Sequence, residues 1–531
     1  MRSALGLVVI AFTGACTGDQ PAGSASSPTP SSTSSSASAA STSSMSGTAS
    51  TAADAGLQTV DAGAPDAGPP PVLLVDGLRV DGISVFQSVQ IPVVTGGAAV
   101  GARNAPIIAG KAALIRVSVM SDGSWDGSAV TARLVLVTGG NTQTLISVGV
   151  PQLPAQEAND QSFLPFNVPA AALAESTQFS VQLTSPAGHP AVDGMADPAR
   201  YPVNGMTISL GVSSDPGPIN LVLVPVRYDR DGSGRLPDTS PAQLDLIRSM
   251  LAAIYPAVQV DITVHLPLPW DNWLTLTGNV NFGSLNSALI NLREDDEAPS
   301  GAYYYALISP ANTYAAYCGG SCVTGQSYLV DDPEDGDIRV GGGMGYTGES
   351  SAWTLVHELG HLHGRAHAPC GVNSWDPDYP YLDASIGVWG HDARSQAMLD
   401  PDVFTDFMGY CEDNWVSDYT YRALDERIRA VNALPTQRPL PNVPALLLDQ
   451  DHTGAWSTLG RVVLSSGTGR AGADVHLLDQ GGTRLATVRS RILRRGDGTF
   501  TTMVPLTRPG TAWVELLDGV TLLPVRVSAL P

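Results

Sequence analysis

Four of the chain's nine histidines fall inside eleven residues, His357-Glu358-Leu359-Gly360-His361-Leu362-His363-Gly364-Arg365-Ala366-His367. This window constrains the local fold more than any other part of the chain. The segment Glu349 to Leu362 has a serine start at Ser350 or Ser351 and apolar residues at Trp353, Val356 and Leu359, and it reads as a helix. A helix there sets His357 and His361 one turn apart on one face, where two imidazoles can hold one ion. Gly364 can take the left-handed backbone that ends a helix, so the chain turns and His367 can swing back as a third ligand. Three protein ligands leave one tetrahedral position for water, the mark of a catalytic zinc site. Glu358, beside His357, can reach that water. His363 faces away from the ligand pair and reads as structural.

The window spells H-E-x-x-H-x-x-G-x-x-H, and it resembles the zinc-binding signature of the metzincin metalloproteases. Metzincins carry a methionine turn beneath the zinc, and Asp406-Phe407-Met408-Gly409-Tyr410-Cys411 is similar to that turn. A closing helix follows, with Ser417 as N-cap, Tyr421, Leu424, Ile428 and Val431 on one face, and Pro435 at its end. The resemblance is sharp from Glu349 to Tyr421. It implies zinc as cofactor, hydrolysis of peptide bonds in a protein or glycoprotein, His357, His361 and His367 as ligands, Glu358 as general base and Met408 as a structural residue under the metal. Tyr410 matches the position where astacin-like and serralysin-like members carry a tyrosine that ligates zinc and swings away to help stabilise the transition state; a core tyrosine is the other reading. The glycine-rich stretch Gly341 to Gly348 lies where metzincin substrates commonly pair with an edge strand, or is only a flexible loop.

The flanks are written differently. Residues 72–212 alternate apolar and polar positions (Ile83, Val85, Val89 and Ile91; Ala113, Ile115, Val117 and Val119; Phe179, Val181 and Leu183) between Gly, Pro, Asp and Asn, as in a β-sandwich. Residues 436–531 read as a second, smaller one, with strands at Arg461 to Leu464, Val475 to Leu478, Phe500 to Val504 and Ala512 to Leu516. Residues 213–435 mix strands (Ile219 to Val226, Val258 to His265, Tyr303 to Ile308) with a helix opened by Ser240-Pro241-Ala242-Gln243, a serine cap with glutamine closing a capping box. The expected architecture is multidomain: an α+β metzincin-like catalytic domain flanked by two β-sandwich-like domains.

The N-terminus reads as an export signal. Met1-Arg2, the apolar run Ala4 to Phe12 and the small residues Gly14 and Ala15 lead to Cys16. This resembles a bacterial lipoprotein signal, residues 1–16, with Cys16 as lipid anchor; ordinary secretion is the alternative. Residues 17–71, almost all Ser, Thr, Ala, Gly, Pro and Asp, read as a disordered tether spanning roughly 40 Å. The protein would then be extracytoplasmic, anchored to a bacterial membrane or cell surface or secreted, and touch membrane only through the lipid. The four other cysteines, Cys318, Cys322, Cys370 and Cys411, suffice for two disulfides, and the sequence alone allows three pairings. Under the metzincin resemblance His367 and Met408 both lie near the zinc. Cys370 and Cys411, each three residues further on, would then bridge, leaving Cys318–Cys322 as a tight local loop.

A net charge of −22 argues against nucleic-acid binding, and the single lysine, Lys111, excludes a polybasic membrane patch. A monomer is expected. Asp229-Arg230-Asp231-Gly232-Ser233-Gly234 begins like a calcium loop, but an EF-hand needs glutamate at its twelfth position and Ser240 stands there. Asp449 to Gly454 is a weaker copy, and Glu294-Asp295-Asp296-Glu297 reads as a solvated acidic loop. His189, His265, His391, His452 and His476 are isolated and read as ordinary. No cysteine lies between Cys16 and Cys318, so a cysteine-switch cannot operate from the N-terminal domain. The competing class is a cell-surface adhesin with a vestigial or structural zinc site.

Overall fold

Leu78–Thr95 is one strand of 18 residues. Its alternation buries Ile83, Val85, Val89 and Ile91. It pairs antiparallel with Ala113–Ser121, which pairs with Phe163–Val168. A second antiparallel sheet is built on Val130–Thr138 and Gln178–Thr184, and its Leu134, Phe179 and Val181 join the same core. The computed structural model describes residues 72–525 apart from 193, 276, 320, 321, 436–440, 452 and 517–520. The export signal, Cys16, the tether and His452 lie outside the described residues.

The first sheet takes a strand from far along the chain. Gly390–Asp392 pairs with the long strand through Ser88 with His391 and Val89 with Gly390. A composition change at residue 212 carries no information about a segment that returns almost two hundred residues later, so the sheet runs across the expected boundary. Trp415 fastens the junction. Its indole N–H donates to the Ser88 carbonyl at 2.8 Å, and a Cβ at Gly390 would stand 2.7 Å from its ring.

The central sheet has six strands. Val260–Val264, Ile219–Tyr228, Ala302–Ile308 and Val340–Met344 run parallel, and Gly325–Ser327 closes one edge antiparallel. The helices Pro241–Ile254, Phe282–Asp295, Glu349–Leu362 and Asp418–Asn432 accompany it. Among the described residues no helix is long and apolar enough to cross a membrane.

Three local expectations are corrected here. Ser240 caps its helix, but Gln243 does not return to it. Its side-chain amide instead holds the backbone of Gly348, accepting from the N–H at 2.8 Å and donating to the carbonyl at 3.1 Å. Gly348, at φ 108°, is therefore the N-cap of Glu349–Leu362, in place of Ser350 or Ser351. Ser351 accepts from the Tyr346 N–H at 2.9 Å instead. The glycine-rich stretch is neither edge nor loop at its start, because Val340–Met344 is a buried inner strand. Its glycines let the following helix approach: a Cβ on Gly343 would lie 2.2 Å from the Tyr305 hydroxyl and 2.9 Å from Thr354 Cγ2.

The C-terminal strands, from Asn442–Gln450 to Leu522–Pro524, form one seven-stranded antiparallel sheet rather than the two sheets of a sandwich. Asn442–Gln450 buries both faces. Leu446 and Leu448 join the sheet's own core with Val475, Leu477 and Val504, while Ala445 and Leu447 join the core of the rest of the protein. The whole is a multi-sheet, mostly β protein with few helices.

Because Trp415 is 2% exposed and joins two distant segments, Trp415→Ala should cost about 3–5 kcal/mol in equilibrium urea unfolding. A loss below about 1 kcal/mol, within the range of an ordinary surface substitution, would remove this junction from the account of the fold.

Candidate metal centre

Leu355, Val356, Leu359 and Leu362 of Glu349–Leu362 are fully buried, which fixes the rotation of the helix. The helix ends as its sequence predicts. Gly364 has φ 78°, and the Arg365 N–H donates to the Gly360 carbonyl at 2.9 Å. The chain turns there and brings His367 back to the pair on the helix. One ring nitrogen from each of His357, His361 and His367 lies within 4.8 Å of the others.

The rings are held for ligation. His357 Nδ1 donates to the Phe407 carbonyl at 2.8 Å, and His361 Nδ1 to the Arg365 carbonyl at 2.7 Å. A proton on Nδ1 leaves the Nε2 lone pair free. Nε2 of His357 and of His367 is buried with no hydrogen-bond partner, a costly state for a polar atom unless something occupies the space between them. Burial first, then the neighbouring imidazole, pushes His357 down to about 4. Burial and the two other imidazoles push His361 well below the usual histidine range, and burial lowers His367. The neutral imidazole is the form that binds a cation. The donor set therefore fits a zinc ion.

Glu358 is 6% exposed, and its Oε2 has no hydrogen-bond partner. Burial raises its carboxyl to about 8, with the nearby Ser327 hydroxyl opposing and the Asp497 charge adding to the rise. A cation at the histidines would act in the opposite direction. The strand Gly325–Ser327 passes directly beside it, since a Cβ on Gly325 would stand 2.8 Å from Glu358 Cγ.

Below the helix lies the Asp406–Cys411 turn. Met408 is 1% exposed and seats its sulfur against Gly360, where a Cβ would come within 2.3 Å of Sδ. Asp406, fully buried, accepts from the Met408 N–H at 2.9 Å, from the Ser417 N–H at 3.0 Å and from the Ser417 hydroxyl at 2.5 Å. Tyr410 is 59% exposed, with its ring 4.8 Å from that of His367 and 5.5 Å from that of His357. It stands at the mouth of the site and is no core residue. Cys370 bridges Cys411 (Cα–Cα 5.8 Å) and Cys318 bridges Cys322 (5.1 Å). His363 is structural: it is 1% exposed, donates Nδ1–H to the Leu359 carbonyl at 2.7 Å and stacks on Tyr303 at 4.5 Å.

The calcium-like loops are turns. The Asp229 carboxylate pairs with Arg227 at 2.8 Å, and Asp231 pairs with Arg235. The Asp451 carboxylate accepts from Thr453 and Ala455 of its own turn. Among the described residues the three histidines are the one cluster that could hold a metal.

Four contributors were not visible in the sequence. Gly360 stands at an unspecified position of the signature, and its role depends on Met408. Asp406 was legible only as a neighbour of the methionine. Gln326 and Asp497 come together from segments about 170 residues apart, Gln326 Nε2 donating to Asp497 Oδ2 at 2.9 Å. No local pattern marks such a pair.

Among curated proteins none matches this chain. The family model Peptidase M66 matches residues 324–417, from the edge strand to the cap of the closing helix. That stretch contains the three histidines, Glu358, Met408 and Tyr410, and the match together with the histidine cluster suggests a zinc-dependent metallopeptidase.

Proposed function

We propose that the protein is a zinc metalloendopeptidase of metzincin type, acting on extracellular proteins or glycoproteins. The observation that carries this reading is the convergence of three imidazoles, two with buried and unpartnered Nε2 atoms, beside a buried Glu358 whose Oε2 has no partner. The methionine turn packed under Gly360 and the exposed Tyr410 beside His367 support the metzincin assignment. Export with lipid attachment through Cys16 remains part of the proposal, and the two disulfides suit an oxidising compartment.

Zinc held by His357, His361 and His367 would polarise the scissile carbonyl and lower the pKa of water toward about 7. The chain's own residues do the rest. Glu358 takes a proton from the attacking water and passes it to the leaving amine; a carboxyl held in apolar surroundings is suited to both halves of that transfer. Tyr410 donates its hydroxyl to the developing oxyanion from the open side of the site. The Gly325 end of the edge strand Gly325–Ser327 offers its outward backbone groups to an extended peptide, aligning its carbonyl by strand addition.

Three sets of variants test this. His357→Ala, His361→Ala and His367→Ala should each lose stoichiometric zinc by atomic emission, whereas His363→Ala should keep the metal and lose thermal stability. Glu358→Gln should keep zinc and lose about 10²–10⁴-fold in kcat on a casein-type substrate; normal cleavage by that variant sinks the mechanism. Tyr410→Phe should keep zinc and lower kcat by roughly 10²-fold with little change in KM. An unchanged kcat would return Tyr410 to the surface.

A further inference from the structure

The C-terminal sheet reaches into the metal centre, and its point of entry is the edge a substrate would use. The phase of the edge strand follows from its inner bonds. The Met344 N–H donates to the Thr324 carbonyl at 2.9 Å and the Tyr328 N–H to the Val340 carbonyl at 3.5 Å. Alternate residues of an antiparallel strand turn their backbone groups to opposite sides, so Gly325, Ser327 and Leu329 face outward. Two of these three are already engaged by the end of the strand Arg484–Arg494 and the turn after it. The Gly496 N–H donates to the Ser327 carbonyl at 3.0 Å, the Leu329 N–H donates to the Arg494 carbonyl at 2.9 Å, and Tyr328 and Arg495 form an antiparallel bridge. The chain then reverses through Asp497 and Gly498, and the Gly498 N–H returns to the Arg495 carbonyl at 3.1 Å. Among the described residues no backbone group outside the sheet bonds to Gly325. An added peptide strand can pair there and then meets the turn.

The turn also lies on the site itself. A Cβ on Gly496 would come 2.1 Å from His361 Cδ2 and 2.3 Å from its Nε2, so the Gly496 backbone rests on the imidazole edge that faces the metal. It is firmly anchored. Arg495, 5% exposed, donates to Thr501 Oγ1 at 2.7 Å and pairs with Asp449 at 2.9 Å. Asp331 pairs with Arg470 at 2.7 Å and with Arg494 at 3.3 Å. Asp337 accepts from the Ser465 N–H at 2.6 Å, and Asp335 from the Gly469 N–H at 3.1 Å. The first two contacts tie the turn to its own sheet and the others tie that sheet to residues 331–337, so the turn is carried by an anchored sheet as a wall and not a lid.

At the tip stands Asp497, exposed. Its Oδ1 accepts from the Thr499 N–H at 2.9 Å and the Thr499 hydroxyl at 2.6 Å, and its Oδ2 from Gln326. A carboxylate has about four lone-pair sites, so acceptor capacity remains. Among the described residues it forms no ion pair, and it stands one residue from the Gly496 backbone that rests on His361. An oriented carboxylate at the closed end of this edge has the charge and free acceptor sites to receive a cation.

We propose that the Arg495–Thr499 turn closes the substrate cleft at Ser327 and that Asp497 selects a cationic group of the substrate, a Lys or Arg side chain or a free α-ammonium, beside the scissile bond. The proposal rests on the peptidase reading for the word substrate, but its test does not require turnover. The probe is the zinc-loaded Glu358→Gln protein, titrated by fluorescence anisotropy with peptides carrying one lysine or its neutral isostere norleucine at successive positions, each N-acetylated or free. Lysine at one position, or the free amine, should bind at least roughly tenfold tighter than the neutral peptide, as a charge-assisted contact allows. The acetylated and free series tell which source of the cation is used. Adding Asp497→Asn should abolish the difference at unchanged zinc content, and Asp497→Lys should favour glutamate instead. Equal affinities with and without Asp497, or no binding by any peptide, overturn the selection. Cleavage by the wild type is read separately: Asp497-dependent binding without hydrolysis of any peptide would remove the peptidase reading and leave the selectivity standing, and chelator-sensitive hydrolysis without cation preference would do the reverse.

Discussion

A buried carboxylate organises the three-histidine site. Asp406 binds the Met408 N–H with one oxygen and the Ser417 N–H and hydroxyl with the other, while the Phe407 N–H reaches the Trp415 carbonyl at 2.6 Å. These bonds set the Phe407 carbonyl where His357 Nδ1 can donate to it, and set Met408 against Gly360. An uncompensated buried anion would be costly; three donors from its own loop and the closing helix offset part of that cost, while burial still holds the carboxyl above the usual aspartate range. The tautomer of the first histidine, the depth of the helix and the start of the closing helix all follow from one side chain.

The same economy appears above the site. The inner strand Val340–Met344 is almost without side chains, so the histidine helix lies close over it and Glu358 reaches the edge strand. Gln243 ties the start of that helix to another helix, and the Cys370–Cys411 bridge ties the loop after His367 to the turn. His357 and His361 are thus held at two levels, by a backbone carbonyl and by packing of the helix that carries them, and the loop bearing His367 is held by the bridge. Convergent neutral imidazoles need such support, because without an ion their unpaired lone pairs favour collapse or hydration.

The flanking sheets are part of this construction. The first accepts Gly390–Asp392 and the Trp415 indole from beyond the histidine helix, and the last lays Gly496 on His361. Neither intrusion was legible in the residues. Strand pairing between Ser88 and His391 leaves no trace in the alternation of either segment, and Gly496-Asp497-Gly498 reads as any tight hairpin turn. The cysteine pairs followed from the metzincin resemblance and not from the residues alone. By contrast, the helix bearing His357 and His361, its end at Gly364 and the serine cap of the closing helix stood in the sequence. They depend on periodicity, backbone preference and short spacing, which local order preserves.

The local capping details divide along the same line. Ser240 and Ser417 cap as written, because a hydroxyl meets the N–H groups of its own first turn without help. The histidine helix begins at a glycine and not at a serine, because its start is completed by Gln243 from elsewhere. What the residues alone determined is the chemistry: which imidazoles can share an ion, which carboxyl stands beside them and which strands alternate. What only the tertiary structure decided is the environment of that chemistry: the carbonyls that choose the tautomers, the sulfur beneath the helix, and the turn from the last sheet that closes the cleft. Chemistry of this kind is set by neighbours in sequence, whereas desolvation and access are set by neighbours in space.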